Sequence, residues 1–376
     1  MRYFLVAGEA SGDLHASALI RALRAEDPEA SFAFMGGDKM EASAGVAPIV
    51  HYREVAFMGI VSVVKNLGKL TRIGRQIQAA MRDFAPDVVI PVDYADFNFR
   101  FILPYAKKEL RCPVIYYILP KLWAWRAGRI RQLRRYVDLG LSILPFETSY
   151  FSDRGLRTEY IGNPCVDAKL TYLTEHPETV EREQMLLLVP GSRQSELRDN
   201  LPEMLAATAA YSQLGWRVVI AGAPGLTAAD YAPHLGKYSD TPILFGDTYG
   251  LMCRAHAALV TSGTATLEAG LWGIPMVVCY RMGGRRIARL VFERLFRVPY
   301  FSLVNLILDR PAVPELLADR AHSVQILSIL SHLIPEEDHR RTDQLQAFAQ
   351  LQELMGTEPS APRAARAILS YLHEAR

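Results

Sequence analysis

The chain has 376 residues, half of them hydrophobic, which exceeds the usual span of one domain and is enough to fill more than one core. With 42 Lys and Arg against 40 Asp and Glu, the net charge of +2 gives no global electrostatic reason for a nucleic-acid partner. The apolar stretch in the opening MRYFLVAGEASGD is too short for an export signal. No apolar run approaches the roughly 18 residues of a membrane span, so a soluble or peripheral protein is expected.

Short β-rich runs alternate with longer amphipathic stretches through the first half, at Tyr3 to Ala7, Phe32 to Met35, Val88 to Pro91, Val114 to Ile118 and Leu141 to Leu144. After a polar stretch the pattern restarts at Leu186 to Val189, Val218 to Ala221, Ala257 to Val260 and Met276 to Cys279. This is the pattern of two Rossmann-like, doubly wound α/β domains with a cleft between them. The expected division is 1–165, 166–350 and a helical C-terminal tail, 351–376, that packs back on the first domain. Cys112, Cys165, Cys253 and Cys279 show no zinc spacing and read as reduced thiols, with Cys112 and Cys279 in packing roles.

Ligands of such folds bind where strands run out into helix N-termini, so the strand-end loops carry the candidates. Gly8, Ser11 and Asp13 lie in the loop GEASGD, which suits a substrate or phosphate loop or a plain strand-to-helix turn but lacks both dinucleotide and P-loop spacing. Asp93, Asp96 and Asn98 close the third strand-like run, where a carboxylate suits either a general base or a helix cap. Trp123, Trp125 and Arg126 precede Arg129, Arg131, Arg134 and Arg135, a set fit for sugar stacking and phosphate pairing or for core packing beside a solvated basic helix. In the second half, Ser192 and Arg193 follow a strand and suit a diphosphate clamp. Ser262, Gly263 and Thr264 form an anion site at a helix start, with Glu268 one turn further on, near a ribose or as a capping partner.

Two stretches, Val55 to Arg82 and Arg281 to Arg297, interleave basic and apolar residues. They suit docking on anionic lipid or ordinary surface helices.

Nine motifs in one order, among them GEASGDLHA, FMGIV at 57–61, ADFN, WAWR, LPFE, PGSR, SGTATLE, PMVVCYR and SLVN, resemble the lipid-A-disaccharide synthase family over nearly the whole chain. The resemblance implies the two-Rossmann (GT-B) glycosyltransferase architecture and inverting transfer from UDP-2,3-diacylglucosamine to the 6-hydroxyl of 2,3-diacylglucosamine 1-phosphate (lipid X). It implies Asp93 as general base, Ser192, Arg193, Ser262, Gly263 and Thr264 at the diphosphate, Glu268 at the ribose, and Asn305 near the active cleft. It further implies no metal or other cofactor, a homodimer, and a cytoplasmic protein peripheral to the inner membrane. The chain departs from the family pattern at Tyr94-Ala95, where a proline is usual, at Val304, and at Lys121. A UDP-N-acetylglucosamine epimerase and a non-catalytic UDP-sugar-binding protein are the competing readings.

Overall fold

The computed structural model describes residues 1–55, 67–178, 181–281 and 299–374. The chain divides into two compact units, Met1–Pro164 with Glu358–Arg376, and Cys165–Thr357.

The first unit is built on β1 (Arg2–Ala7), β2 (Ser31–Gly36), β3 (Val50–His51), β4 (Val88–Val92), β5 (Ile115–Tyr117), β6 (Leu139–Ser142) and β7 (Thr158–Tyr160). These pair in the order β3-β2-β1-β4-β5-β6-β7, every ladder parallel. A parallel sheet is covered on both faces, which is why its strands are continuous apolar runs such as Val88-Val89-Ile90. On one face Phe4, Val6 and Val89 pack with Ile73, Ile77 and Met81 of α3 (Leu67–Phe84). On the other, Tyr3, Leu5 and Ile90 pack with Leu19, Ile20 and Leu23 of α1 (Ala10–Glu26). Ala364, Ala365, Ile368 and Leu372 of the C-terminal helix Ser360–Glu374 join that second core.

Pro91 sits in the central strand β4, where a missing N–H is normally costly. Here the ladder to β5 is sparse, a bridge at Val89–Val114 and one pair at Val92–Tyr117, so the proline forfeits little.

The second unit repeats the winding with β8 (Met185–Val189), β9 (Arg217–Gly222), β10 (Ile243–Phe245), β11 (Ala257–Thr261), β12 (Met276–Tyr280) and β13 (Glu315–Leu317), in the order β10-β9-β8-β11-β12-β13. The strand order reverses between β1 and β4 in one unit and between β8 and β11 in the other. These are the points at which such sheets hold ligands.

Several expectations need correction. β6 starts at Leu139, two residues before the expected run; Gly140 interrupts the apolar pattern there, and Leu119 lies across it so closely that a Cβ would come within 2.6 Å of it. The return to the first unit begins at Glu358 rather than 351, since the helix His339–Met355 continues to Gly356, whose φ of +74° ends it. In the described part of the first basic stretch, the apolar face of α3 lies in the core, and Lys69, Arg72, Arg75 and Arg82 are among the residues that face outward. The remainder of that stretch, the FMGIV motif and nearly all of the second stretch lie outside the described residues. Among the described residues no helix is long and apolar enough to cross a membrane.

Candidate functional site

In the first unit, β4 delivers the chain to Asp93 and Tyr94, both with φ of +44°. Two consecutive non-glycine residues in the left-handed region cost about 1–3 kcal/mol each and persist only when their surroundings enforce them. The enforcement is visible. The Asp93 carbonyl accepts from the Tyr116 hydroxyl at 2.6 Å and from the Asn98 amide at 2.8 Å, while its own N–H donates to the Tyr117 carbonyl at 3.0 Å. Asn98 is wholly buried, so it fixes the turn from behind rather than meeting a ligand. Tyr94 has a φ that proline cannot adopt. Ala95 and Val304 each stand in the first turn of a helix, where a proline is tolerated but not required.

Asp93 is exposed and opens onto a cavity of about 1130 Å³, where the surrounding protein displaces part of the water from its carboxylate. That loss of water raises its pKa above the ordinary aspartate value. The nearby Glu9 raises it further, and Lys121 opposes them. Phe97, Phe99, Phe101 and Leu70 supply apolar wall; Arg100, Arg126, Arg129 and Arg131 supply cations. Asp96 also borders the cavity, bound through one oxygen to Arg126 at 2.7 Å and to Arg129. Partial burial alone would raise its pKa, but the two guanidiniums outweigh this and hold it below the usual range, so it is a poor base.

The candidates Gly8, Ser11, Asp13 and Trp123 do not line this cavity. Asp13 is buried and accepts from the N–H groups of Gly37, Lys39 and Met40 at 2.7 to 3.1 Å, capping α2 (Asp38–Ala44). Gly8 makes room for the Tyr94 ring, which a Cβ would approach to 2.1 Å. Ser11 is exposed on the first turn of α1, and only Glu9 of that loop lines the cavity. Trp123 donates to Glu147 at 2.9 Å and packs on Phe146, leaving Trp125, 55% exposed, as the tryptophan at the cavity. Glu147 is buried and its pKa is pushed up to about 7 by that burial, which the Trp123 indole only partly offsets.

In the second unit, Ser192, Arg193, Ser262, Gly263, Thr264 and Glu268 all line one cavity of about 350 Å³ at the ends of β8 and β11. Gly263, at φ +153°, turns the chain into the helix Thr264–Leu271, whose first N–H groups lack intrahelical partners. Glu196 accepts from the N–H of Ser192 at 2.8 Å and of Arg193 at 3.2 Å, and pairs with the Arg193 side chain, which is otherwise well exposed. The Ser262 hydroxyl donates to the Phe301 carbonyl at 2.7 Å and so can only accept from a ligand. Glu268 receives the Tyr249 hydroxyl at 2.8 Å; burial raises its pKa, against that bond.

Asn305 stands apart. It is buried, donates to the Val313 carbonyl and to Glu315, accepts from the Val313 N–H, and borders a separate cavity of about 500 Å³. Its side chain knits a turn and is not free for the nucleotide. Tyr249, Tyr116 and Glu9 are contributors that sequence reasoning missed, because each acts through a partner remote in the chain or unlike it in type.

A sequence profile of the Lipid-A-disaccharide synthetase family matches residues 3–368. The chain belongs to the lipid-A-disaccharide synthase family. The lipid-A-disaccharide synthase of Myxococcus xanthus is 37% identical over 100% of this chain and 98% of its own, and that of Acidobacterium capsulatum 34% identical over 95% and 92%. Among solved structures, a putative UDP-N-acetylglucosamine 2-epimerase from Listeria monocytogenes superposes with a TM-score of 0.68 at 14% identity, over 99% of this chain and 97% of its own. The calicheamicin glycosyltransferase CalG4 gives 0.62 at 15%, over 100% and 99%. At such identities these two speak for the fold alone. The family match, which spans nearly the whole chain, decides against the epimerase reading and makes the chain a glycosyltransferase of the two-Rossmann architecture.

Proposed function

We propose that the two cavities divide the substrates of the family's reaction, with the acylated acceptor in the first unit and the UDP-sugar in the second. The family's reaction moves 2,3-diacylglucosamine from its UDP conjugate to the 6-hydroxyl of 2,3-diacylglucosamine 1-phosphate, giving the β-1,6-linked disaccharide 1-phosphate and UDP. Asp93 takes the proton of that hydroxyl as its oxygen attacks the anomeric carbon from the face opposite UDP, which inverts the configuration. A positioned base of this kind contributes ~10²–10⁴-fold. Arg193 and the N-terminus of the helix Thr264–Leu271 meet the negative charge that grows on the departing diphosphate, and Glu268 takes the ribose hydroxyls.

The observation that carries this reading is the Asp93 carboxylate, raised in pKa and held by a locked, strained turn on a cavity lined by aromatic rings and guanidiniums. Both substrates carry two acyl chains, so we propose that the enzyme works at the cytoplasmic face of the inner membrane, with the outward cations of α3 toward anionic lipid.

The test is UDP release from UDP-2,3-diacylglucosamine in detergent with EDTA, with and without the acceptor. Release that depends on the acceptor, with the disaccharide 1-phosphate as product, is expected. Release indifferent to the acceptor, or none from folded protein, would overturn the proposal.

A further inference from the structure

We infer that Arg126 and Arg129 form the site for the acceptor's phosphate monoester, and that Asp96 fills this site until the phosphate displaces it, which makes Asp96 a determinant of acceptor specificity. The inference rests on the acceptor assignment above.

Both guanidiniums converge on a single oxygen of Asp96, whose side chain is 72% exposed at the cavity and therefore replaceable from solvent. Their planes are already set. Arg126 lies over the Trp125 ring at 4.3 Å and Arg129 over the Phe99 ring at 5.0 Å, so the stacked faces are covered and the N–H edges point at one place. The cavity wall carries five cations, including Lys121 and Arg131, against three carboxylates, so one carboxylate leaves it short of negative charge. A phosphate monoester brings a charge of about −1.5 to −2 and three acceptor oxygens, more than the carboxylate it replaces. An uncharged 1-hydroxyl offers no such exchange and must leave Asp96 where it is.

The geometry also suits the acceptor as a whole. The 6-hydroxyl and the 1-position lie on either side of the pyranose ring oxygen, at the same edge of the sugar. A base at Asp93 and an anion site at Arg126 and Arg129, on one cavity, would hold that edge at two points. The neighbouring Phe97, Phe99 and Phe101 give the acyl chains an apolar wall.

The experiment measures direct binding of 2,3-diacylglucosamine 1-phosphate, and of the same sugar lacking the phosphate, in detergent micelles by calorimetry. The proteins are the wild type, Asp96→Asn and the double variant Arg126→Gln with Arg129→Gln, with UDP binding as the control for folding. The wild type is expected to prefer the phosphorylated sugar by at least ~10-fold, as the loss of charge-assisted hydrogen bonds implies, and the double variant by less than ~3-fold. Asp96→Asn is expected to bind the phosphorylated sugar more tightly than the wild type and the uncharged sugar equally well. A preference that survives in the double variant, or weaker phosphate binding in Asp96→Asn, would overturn the inference. So would loss of pelleting with phosphatidylglycerol vesicles in the double variant while the preference stays intact, since that assigns the pair to a lipid surface. Wild-type protein that shows the expected binding pattern but releases no UDP would sink the transfer reading and leave the anion site standing. Transfer with an unchanged acceptor KM in the double variant would do the reverse.

Discussion

In the unit that carries Asp93, the chain leaves its central strand through two left-handed non-glycine residues locked by Tyr116 and Asn98. In the unit that carries Glu268, it leaves the corresponding strand through Gly263, which tolerates its conformation at little cost. The first unit surrounds its cavity with ionised and aromatic side chains; the second sets backbone at helix starts and a few hydroxyls beside Arg193, Glu196 and Glu268, with no aromatic ring in the lining. Strain and a shifted carboxylate belong where a proton must move, whereas exposed N–H groups suffice to hold a phosphate. The two also share a device. Each proposed anion site holds a carboxylate of the chain itself, Asp96 on the paired guanidiniums and Glu196 on the N–H groups of Ser192 and Arg193.

The sharpest way to break this contrast is Asp93→Asn, which keeps shape and removes the base. It is expected to lower kcat by ~100-fold or more while leaving UDP affinity, measured by calorimetry, at the wild-type value. Equal losses in both quantities would mean that the units do not divide the work. Glu268→Gln is the reciprocal change: UDP affinity is expected to fall by ~10-fold, with acceptor binding unaltered. The smallest effect on activity is expected from Asp13→Ala, which removes the cap of α2 and costs about 1–2 kcal/mol of stability in a denaturant titration without changing kcat. A large loss of kcat in that variant, at temperatures where it stays folded, would return Asp13 to the substrate site.

Much of this was legible in the sequence. The central strands announced themselves as apolar runs because both faces of a parallel sheet are covered, and Asp93 and the segment Ser262 to Glu268 stood out as polar groups at strand ends. The short edge strands β3, β7, β10 and β13 did not, since two or three residues carry no periodicity. The sequence leaves the tasks of Asp13 and Asn305 open, because a polar residue in a loop looks the same whether it faces a substrate or a backbone N–H. Only their bonds to Gly37 and Val313, 24 and 8 residues away, separate the two cases. The same holds for Trp123 and Trp125, two residues apart in one motif, of which one is tied to Glu147 and the other faces the cavity.

The central claim is that Asp93 is the base and that its charged surroundings tune it. The pH dependence of kcat/KM tests this most directly, measured for the wild type, Glu9→Gln and Lys121→Met. Asp93 works only when ionised, and its pKa is raised, so activity is expected to fall as pH drops through a value above the ordinary aspartate range. Removing the Glu9 charge is expected to move that acid limb to lower pH, and removing the Lys121 charge to move it to higher pH. An acid limb at the same pH in all three proteins would contradict the assignment.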